Sequence, residues 1–548
     1  MAKVAVAEVS GVDARLAAAF EVLAESPDGV ARMRELVLSL AVSGHLVPQD
    51  PMEEPAIAFL RRIGVAASVS LPGNEAIPQG WASCTMGDLL QELQPGWSPS
   101  CLSRGRVGDE YGVLKVSACS WGQFLPEENK SLPPGLEIPL GIEVRRGDWL
   151  ISRANTVELV ARSVVVKSCP PRLLLSDKII RLVTKPGVVI DFVNLANLSP
   201  RSRRYYEAEA SGTSASMRNV SQAVIQALPI CVPPVAEQRR IVARFEELMA
   251  CIDQFEAARN QREAARIAAR DACLATLCAA TNPTEVAAAW STLAARFDSL
   301  FTASADVEPL RLAIIHLAVR GALVGRSSQG ESGDACPDHA LGWPFAGAGG
   351  VLPLGWCWAR LGEVADARLG KMLDKAKNRG ASRPYLRNTN VHWFRFELGS
   401  IKQIPLGDGE FEDLRLTSGD VLICEGGHGI GRSAVWMGQI DGVVFQKALH
   451  RVRPTDRLDS WFLTFCLRVL EATGVLASYY TGAGIPHFTG KALDRLLIAL
   501  PPCDEQRRIV ERATELLMVC DQLELALVST DASAQAVSEA LVSCEASA

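Results

Sequence analysis

One glycine-rich segment has the residue types of a phosphate-binding loop. Residues 426–433, GGHGIGRS, approximate G-x-x-x-x-G-K-[ST], but Arg432 stands where a lysine must reach the phosphates. The residues that follow, SAVWMG, predict a strand, whereas a phosphate loop leads into a helix. The favoured interpretation is therefore a glycine-rich turn between two strands.

A second segment resembles the cofactor loop of methyl-transferring enzymes. Residues 345–349, FAGAG, match the F-x-G-x-G pattern that binds adenosylmethionine, but Gly342-Trp343-Pro344 precedes them instead of a strand. The N-P-P-[YF] signature of amino-methyltransferases is absent, since Asn282-Pro283-Thr284 does not match it. These observations argue against cofactor binding by this chain.

Metal-binding and catalytic patterns are also missing from the sequence. The seven histidines make no metal-ligand spacing, and the 15 cysteines form no CxxC pair. No paired nuclease carboxylates with a nearby lysine and no nucleophile elbow occur. We therefore expect a non-catalytic chain without a metal, with free thiols that suit a reducing cytoplasm. No apolar run of 18 residues and no signal-peptide pattern is present, so we expect no membrane span.

Two clusters of basic residues are the strongest sign of a binding function. Residues 145–181 contain eight Lys/Arg against three acids, and residues 366–395 contain eight against two. The net charge of −6 argues against non-specific attraction of the whole surface to nucleic acid but permits such local faces. A solvated charged surface is the alternative interpretation of each cluster.

The side-chain types in these clusters suit the two kinds of contact made with duplex DNA. Arginine reads guanine and asparagine reads adenine in the major groove, while lysine mostly holds phosphate. We expect lysines 371, 375 and 377 to contact phosphate, and both Asn388 and Asn390 to reach base edges. The DNA-binding candidates are Arg145, Arg146, Arg153, Lys178, Lys371, Lys375, Lys377, Arg379, Arg383, Arg387, Asn388, Asn390 and Arg432.

The elements that position these clusters occur twice, because four motifs recur in the same order. PPVAEQRRIV at 233–242 returns as PPCDEQRRIV at 501–510, and LAVSGHLV at 40–47 returns as LAVRGALV at 317–324. Gly80-Trp81 is matched by Gly355-Trp356, and GDWLI at 147–151 by GDVLI at 419–423. The period of roughly 270 residues is too long for a solenoid. The chain is predicted to have internal two-fold pseudo-symmetry, which suits duplex DNA.

Periodicity and turn residues divide the chain into seven segments. We predict an N-terminal helical segment at 1–50 (helix at 12–43, capped by Gly44), a linker at 51–80 and a mixed α/β domain at 81–232. A central long-helix region at 233–325 and a second linker at 326–352 follow. A second α/β domain at 353–500 and a long C-terminal helix at 501–548 complete the chain.

Each long helix carries an apolar seam with alternating spacings of four and three residues. The seam positions are Ile241, Phe245, Leu248, Ile252 and Phe255 in the first helix and Ile509, Ala513, Leu516, Cys520 and Leu523 in the second. This spacing is typical of a coiled coil, and the two seams are predicted to pair with each other. Packing of each helix on its own domain is the alternative.

The repeated motifs resemble those of the specificity subunits of type I restriction–modification systems. The resemblance covers nearly the whole chain and rests on the two P-P-x-x-E-Q-R-R-I-V helix starts, on residues 34–51 and on residues 147–162. The second copy departs from it at 319–326, VRGALVGR, which lacks the P-Q-D-P tail. Glu425 also stands where the first copy has Arg153, so the two domains need not make matching contacts.

The resemblance implies a fold and a set of partners. The implied fold is mixed α/β, with two target-recognition domains separated by long antiparallel coiled-coil helices. Each domain would read half of a split double-stranded DNA site, and the helices would bind two methyltransferase subunits, with motor–nuclease subunits joining the complex. Adenosylmethionine, ATP and magnesium would then bind only to partner subunits. A solitary methyltransferase with degenerate motifs and a coiled-coil scaffold without DNA binding are the alternatives.

Overall fold

The computed structural model describes residues 20–545 except for 25, 27, 67–76, 121, 215–216, 281–282, 326–351, 375–377, 428, 483 and 485. The chain forms two compact units. The first contains the residues up to 260 together with those from 533 onwards, and the second contains residues 261–532.

The first unit consists of a mixed α/β domain and the helices that flank it. Its helices are α1 (Gly29–Ser43), α2 (Ala56–Arg62), α3 (Met86–Leu89), α4 (Ile190–Leu198), α5 (Pro200–Glu209), α6 (Gln222–Ala227) and the N-terminal part of α7 (Val235–Ala279). Its strands are β1 (Ala82–Thr85), β2 (Leu90–Pro95), β3 (Gly112–Leu114), β4 (Asn129–Ser131), β5 (Trp149–Ser152), β6 (Ala154–Asn155), β7 (Ser163–Val165), β8 (Leu173–Leu174), β9 (Ile179–Thr184), β10 (Ser211–Ser214), β11 (Met217–Asn219) and β12 (Pro229–Val232).

The second unit contains the C-terminal part of α7 and the remaining elements, apart from the end of the last helix. The helices are α8 (Pro283–Ala294), α9 (Phe297–Leu300), α10 (Val307–Val319), α11 (Leu361–Val364), α12 (Asp408–Leu414), α13 (Ser460–Ala472), α14 (Gly490–Asp494) and α15 (Cys503–Glu545). The strands are β13 (Cys357–Arg360), β14 (Ala365–Leu369), β15 (Ala381–Leu386), β16 (Val391–His392), β17 (Arg395–Phe396), β18 (Lys402–Leu406), β19 (Val421–Cys424), β20 (Ser433–Val435), β21 (Val444–Phe445), β22 (Leu449–Pro454) and β23 (Leu497–Leu500).

The two α/β domains share three sheets of the same topology. A four-stranded sheet has the order β2-β9-β5-β7 in the first domain and β14-β22-β19-β20 in the second. A three-stranded sheet has the order β4-β3-β8 or β18-β15-β21, with one antiparallel and one parallel pair in each case. The first and last strands of each domain pair with each other, as β1 with β12 and β13 with β23. The duplication read from the motifs is therefore a duplication of the fold.

A glycine at the same place in each domain shows how closely the copies agree. A Cβ atom on Gly96 would lie 2.2 Å from the backbone oxygen of Ser176, and one on Gly370 would lie 2.3 Å from that of Gln446. Both distances are far below a van der Waals contact, so any residue larger than glycine would push away the neighbouring segment that carries Ser176 or Gln446. The residue after each glycine forms a parallel bridge with that neighbouring segment: Trp97 pairs with Ser176 in the first domain, and Lys371 pairs with Gln446 in the second.

Six of the ten seam residues are buried and four are half-buried, and the contacts described for them lie within each unit. Leu248 and Ile252 of α7 pack against Val30, Met33 and Leu36 of α1. In the second unit Cys520 of α15 lies in one cluster with Leu310, Ala313 and Leu317 of α10. Ile241, Ile509 and Ala513 pack into the cores of the adjacent α/β domains. Each seam is thus covered by its own domain and a short helix, and pairing of the two seams remains a prediction.

Two segments differ from what the sequence predicts. The helix expected at 12–43 is described only from residue 20, and it is interrupted before α1, which begins at Gly29 and ends with Gly44 in the left-handed conformation at φ +81°. The linker expected at 51–80 contains helix α2, because Phe59 and Leu60 bury their side chains in the core of the first domain. Polar and Pro/Gly-rich flanks concealed this short apolar run. The linker expected at 326–352 lies outside the described residues up to position 351.

Among the described residues, no helix is both long enough and apolar enough to cross a membrane.

Candidate nucleic-acid interface

The first basic cluster divides into groups at the two ends of β5. Arg153 follows the strand, and its backbone N–H donates to the oxygen of Lys178 at 2.9 Å. Both side chains are exposed. Arg145 and Arg146 precede the strand and are also exposed. Because the four residues of β5 span about 13 Å, these two pairs are separate positive patches.

Four other basic residues of this cluster have structural roles. Arg181 is buried and binds the carboxylate of Asp148 at 2.7 Å, along with two backbone oxygens. Lys167 pairs with Glu246 at 2.5 Å. Arg162 donates to the backbone oxygen of Glu158, and Arg172 to that of Asp109. Composition counts these residues alike, whereas in the structure Arg181 is buried, Arg162 and Arg172 are half-buried, and Lys167 stays exposed despite its ion pair.

The patch at Arg153 lies beside a small three-stranded sheet, where the described residues of the second domain form only isolated bridges among Gly426, Thr481 and His487. Strand β6, directly after Arg153, pairs with β11, so that Asn155 lies opposite Arg218. The Asn155 amide donates to Ser120 at 3.0 Å, and the Arg218 guanidinium donates to the Gly212 oxygen across the β10–β11 hairpin at 2.6 Å. These contacts hold the backbone around Arg153 in place.

In the second domain the corresponding surface is built from three loops. Asn388 donates from its side-chain amide to the Gly426 oxygen at 3.3 Å. Gly426 forms a bridge with His487, which in turn bridges Thr481. The Nδ1 atom of His487 lies 4.0 Å from Oε1 of Glu425. Asn388, Glu425 and His487 therefore converge on one surface, although they are far apart in sequence.

A buried histidine fixes the loop that carries His487. His450 on β22 is 2% exposed, and its Nε2 lies 3.0 Å from the backbone oxygen of Phe488. Burial lowers the pKa of His450, and the neighbouring Glu425 opposes that effect. Because a carbonyl can only accept, Nε2 carries the proton and donates it. His450 is therefore neutral and acts as a positioning residue.

Asn390 is not available to read a base. Its side chain is fully buried; Oδ1 accepts from the backbone N–H of Arg387 at 3.0 Å, and the amide donates to the Glu397 oxygen at 2.8 Å. The Arg387 guanidinium donates a hydrogen bond to the backbone oxygen of Ser400 at 2.8 Å. The expectation that Asn390 reaches a base edge is corrected: it holds the loop that presents Asn388.

The remaining basic candidates of the second domain occupy varied settings. Lys371 forms an ion pair with Glu410, and Arg368 pairs with Asp413 at 2.8 Å. The Arg383 guanidinium lies 3.9 Å from the centre of the Phe411 ring. Arg379 is exposed, and Arg432 is half-buried beside Gly429. Lys375 and Lys377 lie outside the described residues, so the lysine stretch is represented in the structure by Lys371 alone.

Sequence reasoning missed several residues of these surfaces. His487 and Lys447 lie outside the counted basic cluster. The backbone N–H of Lys447 nevertheless donates a hydrogen bond to the backbone oxygen of Lys371 at 2.8 Å. Asn155 and Arg218 approach Arg153 only through strand pairing. The repeated GDWLI and GDVLI motifs could have indicated these surfaces from the sequence, because they align Arg153 with Glu425 at the ends of equivalent strands.

The described residues form no candidate metal centre, and the cysteine beside Glu425 is unreactive. No group of three or more His, Cys, Asp or Glu side chains among them could hold a metal ion. Cys424, next to Glu425, is buried, and burial raises the pKa of its thiol to about 12. A thiol with that pKa stays protonated and unreactive at neutral pH. The geometry offers donors and acceptors for recognition.

The chain is similar to a known family of proteins and to several of its characterised members. The family described as "Type I restriction modification DNA specificity domain" matches residues 353–526. The chain is 25% identical over 554 residues to the EcoAI specificity subunit of Escherichia coli, a match that covers 90% of each chain. It is 29% identical over 262 residues to the EcoEI specificity subunit of the same organism, covering 44% of each chain.

A solved structure supports the fold. A chain from work on complex assembly and conformational transition of the type I R–M system superimposes with a TM-score of 0.50 at 20% identity. The match covers 86% of this chain and 99% of that one. The predicted mixed α/β fold with two α/β domains and long helices is thereby confirmed, and the curated relatives confirm the resemblance drawn from the motifs.

Proposed function

We propose that this chain, which is similar to the type I restriction–modification specificity subunits, is the sequence-specific DNA-recognition subunit of such a complex. Each α/β domain reads one half of a bipartite duplex site. The observation that carries this proposal is the duplicated framework of sheets, which presents different side chains at equivalent places. Two such domains suit two different half-sites, and domain centres on one face of B-DNA would lie about one helical turn, or roughly 34–36 Å, apart.

The long helices set the spacing between the half-sites in this proposal. An α-helix rises about 1.5 Å per residue, so the 45 residues of α7 extend roughly 68 Å. Charged pairs repeat along both helices: Arg34 binds Asp253 and Glu256, each at 2.7 Å, and Arg311 binds Asp521 at 2.5 Å and Glu524 at 2.7 Å. The matching pairs attach a short helix to each long helix in the same way. A repeated attachment favours a rigid spacer.

The reactions belong to partner subunits. We propose that two methyltransferase subunits bind the long helices, that motor–nuclease subunits join them, and that adenosylmethionine, ATP and magnesium bind to these partners. The surfaces described above offer hydrogen-bond donors and acceptors but no nucleophile activated by a base. The described cysteines are free thiols, which supports a cytoplasmic location.

A domain exchange tests this function. The full chain, co-expressed with the methyltransferase subunits of its host, would be used to select duplexes from a random library. Replacing residues 81–232 with the corresponding domain of a relative should change one half of the selected motif and leave the other half unchanged. Selection of no motif by the unaltered complex would refute DNA recognition, and a change in both halves would refute independent reading.

A further inference from the structure

Arg153 and Glu425 occupy the same place in the two copies of the fold. The N–H of Arg153 donates to the oxygen of Lys178, just before β9, and that of Glu425 donates to the oxygen of Ala448, just before β22; both distances are 2.9 Å. The oxygen of Arg153 accepts from Val220 at 2.9 Å, and that of Glu425 accepts from Phe488 at 2.7 Å. Arg153 directly follows β5 and Glu425 directly follows β19, and each of these is an inner strand of its four-stranded sheet.

The two side chains have opposite hydrogen-bonding character. An arginine guanidinium only donates, and an ionised glutamate carboxylate only accepts. The Arg153 side chain is exposed. The Glu425 side chain is 16% exposed and lies beside the half-exposed His487, 4.0 Å from it. An equivalent backbone thus presents a donor in one domain and an acceptor in the other.

A carboxylate disfavours DNA binding unless it makes a specific contact with a base. Phosphate repels it, so a glutamate in such a position weakens non-specific binding. In the major groove, however, an acidic side chain accepts a hydrogen bond from the exocyclic amino group of cytosine, and arginine donates two to the O6 and N7 atoms of guanine. Both residues can therefore discriminate between bases, but they select base edges of opposite character.

We infer that this shared position is a specificity-determining site, at which Arg153 reads a guanine in one half-site and Glu425 reads the amino group of a cytosine in the other. The inference rests on the proposed function and adds the chemistry of one base in each half-site. Asn388, bonded to the Gly426 backbone, and His450, bonded to the Phe488 backbone, position the loop on either side of Glu425.

The test compares the motifs selected from a random duplex library by the full chain in complex with its methyltransferase subunits. Arg153→Ala should relax a single guanine in one half-site, with the cognate duplex weakened about 5- to 150-fold relative to its variants. Glu425→Gln should change one position of the other half-site from cytosine towards adenine, because glutamine pairs with adenine N6 and N7. Neither variant should alter the opposite half-site.

Glu137→Gln is the matched control, because it makes the same chemical change at an exposed position between β4 and β5 and should leave the motif unaltered. If the unaltered complex selects no bipartite motif, the proposed function fails. If it selects one and the Arg153 and Glu425 variants retain every base preference, this inference is overturned while the proposed function stands.

Discussion

The Nε1–H group of Trp81 donates a hydrogen bond to Oε1 of Glu237 at 3.0 Å in the buried interior of the first unit. The second unit repeats this contact, with Trp356 donating to Glu505 at 3.2 Å. The tryptophan belongs to the repeated Gly-Trp motif, and the glutamate to the repeated E-Q-R-R motif. Two sequence signatures more than 140 residues apart thus meet at the point where each domain joins its long helix.

Removing this donor should destabilise both units alike. Trp81→Phe keeps most of the apolar ring but leaves the buried Glu237 carboxylate without that hydrogen bond, which costs about 1–3 kcal/mol of unfolding free energy. Trp356→Phe should cost a similar amount in the second unit. Urea unfolding monitored by fluorescence and circular dichroism measures both. Trp290→Phe, at an exposed tryptophan, is the control; equal small effects of all three would contradict a structural role for the pair.

The seam should tolerate no charge where it faces a short helix. Leu248 is 2% exposed among the apolar side chains of α1, so Leu248→Asp buries an unpaired carboxylate at a cost of several kcal/mol. We expect lost folding of the first unit, or lost association with methyltransferase subunits, in size-exclusion chromatography and thermal unfolding. Gln254→Asp, at an exposed position of the same helix, should leave the thermal unfolding of the first unit unchanged. Normal assembly and stability of the Leu248 variant would show that the seam is dispensable.

Acid should destabilise the second unit partly through His316. Burial lowers the pKa of His316 to about 4, below its usual value of 6.5. Because the folded state disfavours the charged form, the stabilisation is present above pH 6.5 and is lost as the pH falls towards 4. His316→Ser introduces the residue found at the matching position of the first copy, Ser39, and should flatten the decline in melting temperature between pH 6.5 and 4. An unchanged decline would show that other groups control acid unfolding.

The length of α7 should set the gap between half-sites. Inserting seven residues after Asn260 adds two turns, about 10 Å, and nearly preserves the orientation of each helix face. The selected motif should then prefer a gap about three base pairs longer, since base pairs are spaced roughly 3.4 Å apart along the duplex. The same insertion at residue 340, in the segment predicted to be a linker, should leave the gap unchanged. An unaltered gap in the α7 variant would show that this helix does not measure the distance.

The features that occur in both copies could be predicted from the sequence alone. The paired motifs predicted two α/β domains and two long helices, because turn residues, apolar periodicity and the Pro-Pro helix starts are local signals. Helix α2 escaped prediction because its seven residues show too little periodicity to stand out from their Pro/Gly-rich surroundings. Its burial is determined by a domain that follows later in the chain.

The candidate DNA-binding surface was predicted only in part, because charge composition does not report burial. Arg181 and Arg153 belong to the same basic cluster, yet one is 9% exposed inside the fold and the other is exposed to solvent. Asn388 and Asn390 are two residues apart, but only Asn388 lies on the surface formed with Glu425 and His487. That convergence depends on strand pairing between distant segments, which spacing along the chain does not encode.

Sequencing the host genome with a method that detects methylated bases tests DNA recognition most directly. If the chain is a specificity subunit, one bipartite motif with a fixed gap is methylated throughout the genome, and deletion of the gene for this chain abolishes that modification. Restoring the gene with Glu425→Gln should return a motif altered at one position of one half-site. Persistence of every methylated motif after deletion would contradict the proposal that this chain selects the sites.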